Sequence, residues 1–158
     1  MGSRFICLIL LLGTGGCRAI EQADVMTART EVRVWADHLA RDLGRDGPEA
    51  WPRYFLDDPS FFMAVDGKVQ FLDHAQAQKF CSEFDARTAR VDLVWESIRI
   101  DALDPMHVVL GANYHESIVD VSGKTSTFAG YVTGVVVKTE AGWKLQHLHW
   151  SSPSDSHD

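Results

Sequence analysis

Gly142-Trp143-Lys144-Leu145-Gln146-His147-Leu148-His149-Trp150-Ser151 reads as a β-strand in which aromatic and aliphatic residues alternate with polar ones. Successive strand side chains point to opposite faces. Strict alternation therefore puts His147 and His149 on one face with Trp143, Leu145 and Ser151. Working back from this strand, three more long segments have the same character. Residues 125–138 close at Thr139-Glu140-Ala141-Gly142, 106–119 close at Asp120-Val121-Ser122-Gly123, and 91–101 end before Leu103-Asp104-Pro105. Connections this short predict antiparallel neighbours. Gly111, Gly130 and Gly134 lie inside the strands, where glycine marks bends or bulges. A sheet bent in this way leaves a cone-like interior with room for a ligand.

Further back, Phe61–Val65 and Lys68–Leu72 flank Asp66-Gly67, a strong hairpin turn signal. Asp73 is placed to cap a helix running to Phe84. Thr27–Leu43 carries Val32, Trp35, Leu39 and Leu43 at spacings of three and four, the stripe of an amphipathic helix. Gly44-Arg45-Asp46-Gly47-Pro48 stops it, and Pro48 opens a short helix, 49–56, bearing Trp51, Tyr54 and Phe55. Helices first and a strand meander last define an α+β domain, with a curved antiparallel sheet wrapped around three N-terminal helices.

The chain has 158 residues, the length of one domain, and 46% hydrophobic residues, enough for a core. Arg4 followed by the apolar run Phe5–Leu12 has the form of a secretory signal segment. Eight apolar residues are too few to span a hydrocarbon core of about 30 Å as a helix, which takes roughly 20. Gly13-Thr14-Gly15-Gly16-Cys17 resembles a bacterial lipoprotein processing site, with Thr14 where that pattern favours Leu. The resemblance implies lipidation of Cys17; the other reading is a hydrophobic start with a chance cysteine. The expected organisation is a signal peptide at 1–16, a tether at 17–23, the domain at 24–152 and a disordered tail at 153–158. Export to a bacterial periplasm or cell envelope follows, with the membrane touched only through the N-terminal lipid.

The net charge of −7 becomes −8 when removal of residues 1–16 takes away Arg4. An acidic chain without clustered Lys and Arg argues against a nucleic-acid partner. Of the three cysteines, Cys7 leaves with the signal segment and Cys17 is the lipid candidate, so Cys81 has no partner for a disulfide. No dinucleotide-binding glycine motif, Walker loop, His-Glu-x-x-His, Cys-x-x-Cys or Gly-x-Ser-x-Gly is present, and no cofactor is expected.

The order of elements resembles the NTF2-like superfamily, particularly its small SnoaL-like and DUF4440-type members. The residues carrying the resemblance are the short helix entering Phe55-Leu56-Asp57-Asp58-Pro59, the Asp66-Gly67 hairpin, the helix after it and the strand 142–151. It implies a cone fold over roughly residues 24–152 and a homodimer formed through the sheet. Ketosteroid-isomerase-like members carry a carboxylate base on the first strand, at the position matching Met63. Methionine cannot take that role. Their oxyanion-holding tyrosine on the first helix has no clear match among Trp35, His38 and Leu39.

Candidate chemistry is sparse. His147 and His149 could be hydrogen-bonded histidines on a core or dimer face, could give His149 a ligand or acid–base role, or could bind a metal if a neighbouring strand supplied a third ligand. No third ligand is identifiable, and no metal site is assigned. Glu96 lies among Val94, Ile98 and Ile100. It is either a buried acid–base group with a raised pKa or a carboxylate paired with an arginine or at a sheet edge. Alternation in 106–118 puts Asn113 and His115 on one face and Tyr114, Glu116 and Ile118 on the other, unless a bulge near Gly111 flips the register. The expected pocket lining is Trp51, Asn113, Tyr114, Tyr131, His147 and His149. Two functions fit: non-catalytic binding of a small apolar ligand or a partner protein, and a small isomerase- or hydrolase-type enzyme using His149 or Glu96.

Overall fold

The computed structural model describes residues 15–153, with side chains described from Gln22 onward. Residues 1–14 of the expected signal segment and 154–158 of the expected tail lie outside the described residues. Helix α1 spans Gly15–Asp46. The expected tether is therefore helical in backbone; 17–26 contains no proline or glycine to break a helix. Nothing from Gln22 to Thr27 is buried. From Ala28 the helix packs through Val32, Ala36, Leu39 and Leu43, with Trp35 half-buried beside them. Gly47, at φ 74°, ends it by donating its N–H to the Leu43 carbonyl at 3.0 Å. A 3-10 segment, Pro48–Tyr54, follows.

Strands β1 (Phe62–Val65) and β2 (Lys68–Phe71) form the hairpin. Asp66 and Gly67 both have positive φ, 46° and 76°, the tight two-residue turn that suits strand twist. Helix α2, His74–Asp85, is capped by the Asp73 carboxylate, which accepts from the Gln76 N–H at 2.8 Å. Strands β3 (Thr88–Ala102), β4 (His107–Asp120), β5 (Thr125–Thr139) and β6 (Gly142–Ser151) form an antiparallel meander. The hairpin joins it through β1, which runs parallel to β6, giving the order β2-β1-β6-β5-β4-β3. Helices and sheet enclose one core that includes Phe55, Phe61, Leu93, Val108, Val132, Leu148 and Trp150. Trp95 ties sheet to helix by donating its indole N–H to the Ala36 carbonyl at 2.9 Å.

Two β-bulges decide which side chains face that core. On β6, Leu145 pairs with Val136 and His147 with Val135, leaving Gln146 unpaired. The alternation resets at that point. Trp143 and Leu145 point inward before the bulge, and Leu148 and Trp150 after it. His147 and His149 consequently face outward, opposite to the expectation from strict alternation. On β3, Trp95 pairs with Tyr114 and Ser97 with Asn113, leaving Glu96 in the bulge. Ile98 and Ile100 turn in behind Leu93 and Trp95, while Arg99 and Asp101 turn out and pair with each other. Strand β4 pairs residue for residue with β5 from His107 to Val119. No register flip occurs at Gly111.

Candidate functional site

The inner face of the sheet, the 3-10 segment and α2 enclose a cavity of about 360 Å³. Its deep wall is aromatic. Trp150 stands edge-on to Tyr114 at 4.4 Å between centroids and to Trp51 at 5.7 Å, and Trp51 stacks on Phe55 at 5.7 Å. Met63, Val65 and Phe71 line the hairpin side, and Phe80, Cys81 and Phe84 the α2 side. Ile118, Phe128 and Leu148 complete the sheet side. Asp66, Gln70, Phe128 and Ser152 are exposed and form the mouth. There the Asp66 carboxylate accepts from the Ser152 backbone N–H at 2.7 Å, holding the end of β6 against the hairpin turn.

One carboxylate breaks this apolar lining. Glu116 follows Tyr114 on the inner face of β4 and is half-buried in the cavity wall. No hydrogen-bond donor or ion-pair partner among the described residues engages it, and burial alone pushes its carboxyl up to about 7. Two other cavity groups are held neutral: burial pushes the Cys81 thiol up to about 12 and raises Tyr114 above the usual phenol range. Among the described residues no lysine, arginine or histidine lines the cavity. Among the described residues no group of three or more metal-ligating side chains occurs, and no helix is long and apolar enough to cross a membrane.

The expected site residues divide between two faces. Trp51 and Tyr114 line the cavity. His147 and His149 do not: the Gln146 bulge turns both outward, where His147 packs on Phe62 at 4.6 Å and His149 is exposed. Glu96 is exposed in its bulge, 3.3 Å from His115 Nε2, so it is not a buried acid. Asn113 and Tyr131 line an open groove with Glu96 rather than the cavity, and Asn113 donates to Ser97 Oγ at 2.7 Å. Tyr131 lies over Gly111, whose missing Cβ leaves room for its hydroxyl. Sequence reasoning passed over Glu116. The available signal was a lone carboxylate on the face shared by Leu110, Ala112, Tyr114 and Ile118.

Residues 45–155 match the family model of the SnoaL-like domain. The chain belongs to the SnoaL-like domain family. No curated protein matches it significantly. Solved structures, one of them described as an NTF2-like superfamily protein, share the fold of this SnoaL-like chain. An NTF2-like superfamily protein from Salmonella enterica serovar Typhimurium LT2 superposes with a TM-score of 0.70 at 18% identity, covering 83% of this chain and 94% of that one. A protein described as a candidate scytalone dehydratase from Novosphingobium aromaticivorans DSM 12444 gives a TM-score of 0.74 at 12% identity, covering 87% and 93%. A type 2 hexachlorocyclohexane dehydrochlorinase (LinA) gives 0.64 at 11%, covering 81% and 86%. At these identities the likeness is one of fold. In the SnoaL-like cone of this chain, Met63 occupies the cavity wall where the superfamily resemblance implied a base, and the acid sits on β4 instead.

Proposed function

We propose that the cone binds a small, largely apolar molecule, with Glu116 as its one polar anchor and without chemical turnover. The supporting observation is the cavity itself. Its volume, about 360 Å³, suits a small organic molecule, its walls are mainly aromatic and aliphatic, and Glu116 has no second acid–base group engaged with it. General acid–base catalysis calls for groups converging on a reacting atom. His149 and Glu96, the residues the sequence offered for that task, lie outside the cavity. The test is a fluorescence titration with N-phenyl-1-naphthylamine, a neutral apolar probe of suitable size. Saturable binding, weakened at least about tenfold in the cavity-filling variant Ile118→Trp, is the expected result. No binding, or equal binding to the variant, overturns the proposal.

A second reading has one observation in its favour. A carboxyl near 7 is matched to proton transfer at neutral pH. In that reading Glu116 takes a proton from the bound molecule, and the enzyme uses Glu116 in place of His149 or Glu96. Glu116→Gln would then abolish turnover while leaving N-phenyl-1-naphthylamine affinity intact.

Export and a lipid anchor belong to the same proposal, supported by the apolar run Phe5–Leu12 and by Gly15-Gly16-Cys17. Processing that is insensitive to globomycin and unchanged by Cys17→Ser overturns the anchor. Exposed Phe62, Val94 and Tyr131 on the outer sheet face support a homodimer through that face, and sedimentation as a monomer overturns it.

A further inference from the structure

We infer that the cavity selects an apolar organic cation, a hydrophobic amine or quaternary ammonium, with the charge held between the Glu116 carboxylate and the aromatic wall. This rests on the proposal that the cone binds a small apolar molecule and names the chemistry of that molecule. Three observations point the same way. The cavity is walled by aromatic rings, including Trp51, Phe71, Tyr114 and Trp150, whose faces attract a cation within about 6 Å. Its ionisable groups are the carboxyls of Glu116 and Asp66, together with Tyr114 and Cys81, which burial keeps neutral. Among the described residues, none of those lining the cavity carries a basic side chain that could receive an anion; the basic residues of the same elements, such as Lys79 of α2 and His115 of β4, are not part of the lining.

Glu116 is the deciding group. It comes from β4, and the ionisable groups lining the cavity with it are Tyr114 on the same strand, Asp66 from the hairpin turn and Cys81 from α2. None of them donates to it, so its carboxylate is left uncompensated in apolar surroundings. An uncompensated buried carboxylate is costly. A ligand ammonium relieves that cost, a neutral ligand relieves it only by donating a hydrogen bond, and an anion increases it. The carboxyl, protonated below about pH 7 in the empty protein, must lose its proton when the cation enters. Cation affinity therefore rises with pH across that point.

Three probes of one shape separate the possibilities by isothermal titration calorimetry on the full chain: 2-naphthylmethylamine (a cation at these pH values), 2-naphthylmethanol and 2-naphthylacetate. At pH 8 the amine should bind at least about tenfold more tightly than the alcohol, with the acetate weakest. Between pH 8 and pH 6 the amine should weaken about tenfold, following ionisation of a group near 7, while the alcohol holds level. Glu116→Gln should abolish both the amine's advantage over the alcohol and its dependence on pH. The pH series on the wild-type protein makes the same test without a substitution. If the alcohol binds but the amine binds no better, or keeps its advantage in Glu116→Gln, the cation assignment is overturned and the apolar cavity stands. If none of the three binds, both readings fall.

Discussion

Tyr114 and Glu116 are separated by one residue on β4, and both turn into the cavity, while Asn113 and His115 between and beside them face the opposite side of the sheet. That pairing puts an aromatic ring and an uncompensated carboxylate on one wall. It holds because β4 pairs with β5 without a bulge. The neighbouring strand β3 and the more distant β6 each carry a bulge, and each loses its expected acid–base candidate to the outer face.

The raised Glu116 carboxyl makes stability depend on pH. The folded protein holds this proton up to about pH 7, whereas an unfolded chain releases it near the ordinary value of 4.5. Between those values the folded state binds more protons than the unfolded one. Stability therefore falls as pH rises through that window. The difference amounts to about 3 kcal/mol across the whole window. Glu116→Gln should remove this slope and be more stable than wild type at pH 8 by a similar amount, as read by urea denaturation at pH 5 and pH 8.

His149→Ala and Glu96→Gln touch exposed side chains on the outer face. Both should change stability by less than about 0.5 kcal/mol and leave N-phenyl-1-naphthylamine affinity unchanged. Loss of probe binding in either variant would place the site on the wrong side of the sheet.

Much of the fold is readable from local pattern. Asp66-Gly67 sets its own turn, Asp73 its own cap, and Gly47-Pro48 the end of α1, because each acts through backbone geometry within a few residues. The site was less legible because it depends on facing direction. Facing direction depends on register, and Gln146 and Glu96 carry no mark distinguishing a bulge residue from a paired one. Their extra residue shows only when the partner strand is present. The long glycine-bearing strands suggested bulges, but Gly111 and Gly134 serve other ends: space for the Tyr131 hydroxyl and close approach of Leu145 and Leu148. Glu116 was visible on its face in the sequence, yet burial of that face and the absence of a partner are tertiary facts.

Gly130 and Gly111 make a contrasting pair. A Cβ at Gly130 would meet the Ser151 carbonyl oxygen at 2.0 Å, a backbone atom fixed where β6 ends. A Cβ at Gly111 would meet the Tyr131 hydroxyl at 2.5 Å, the tip of an exposed side chain that can swing away. Gly130→Ala should cost about 2 kcal/mol or more, and Gly111→Ala less than about 1 kcal/mol. Thermal denaturation of the two variants side by side checks the order.

Trp150 joins the deep wall of the cavity to the core, against Trp51, Trp95 and Tyr114. Trp150→Ala should cost about 3–5 kcal/mol in urea denaturation. A cost below about 1 kcal/mol would mean that this wall does not hold the sheet together.

The central claim is that the cavity, and not the outer groove, is where a small apolar molecule binds. Methyl-resolved NMR during titration with N-phenyl-1-naphthylamine tests it most directly. The expected result is saturable shifts at Met63, Val65, Ile118 and Leu148, which line the cavity, with the exposed outer-face methyls of Val94 unmoved. Shifts at Val94 with the cavity methyls unmoved, or no shifts at all, would contradict it.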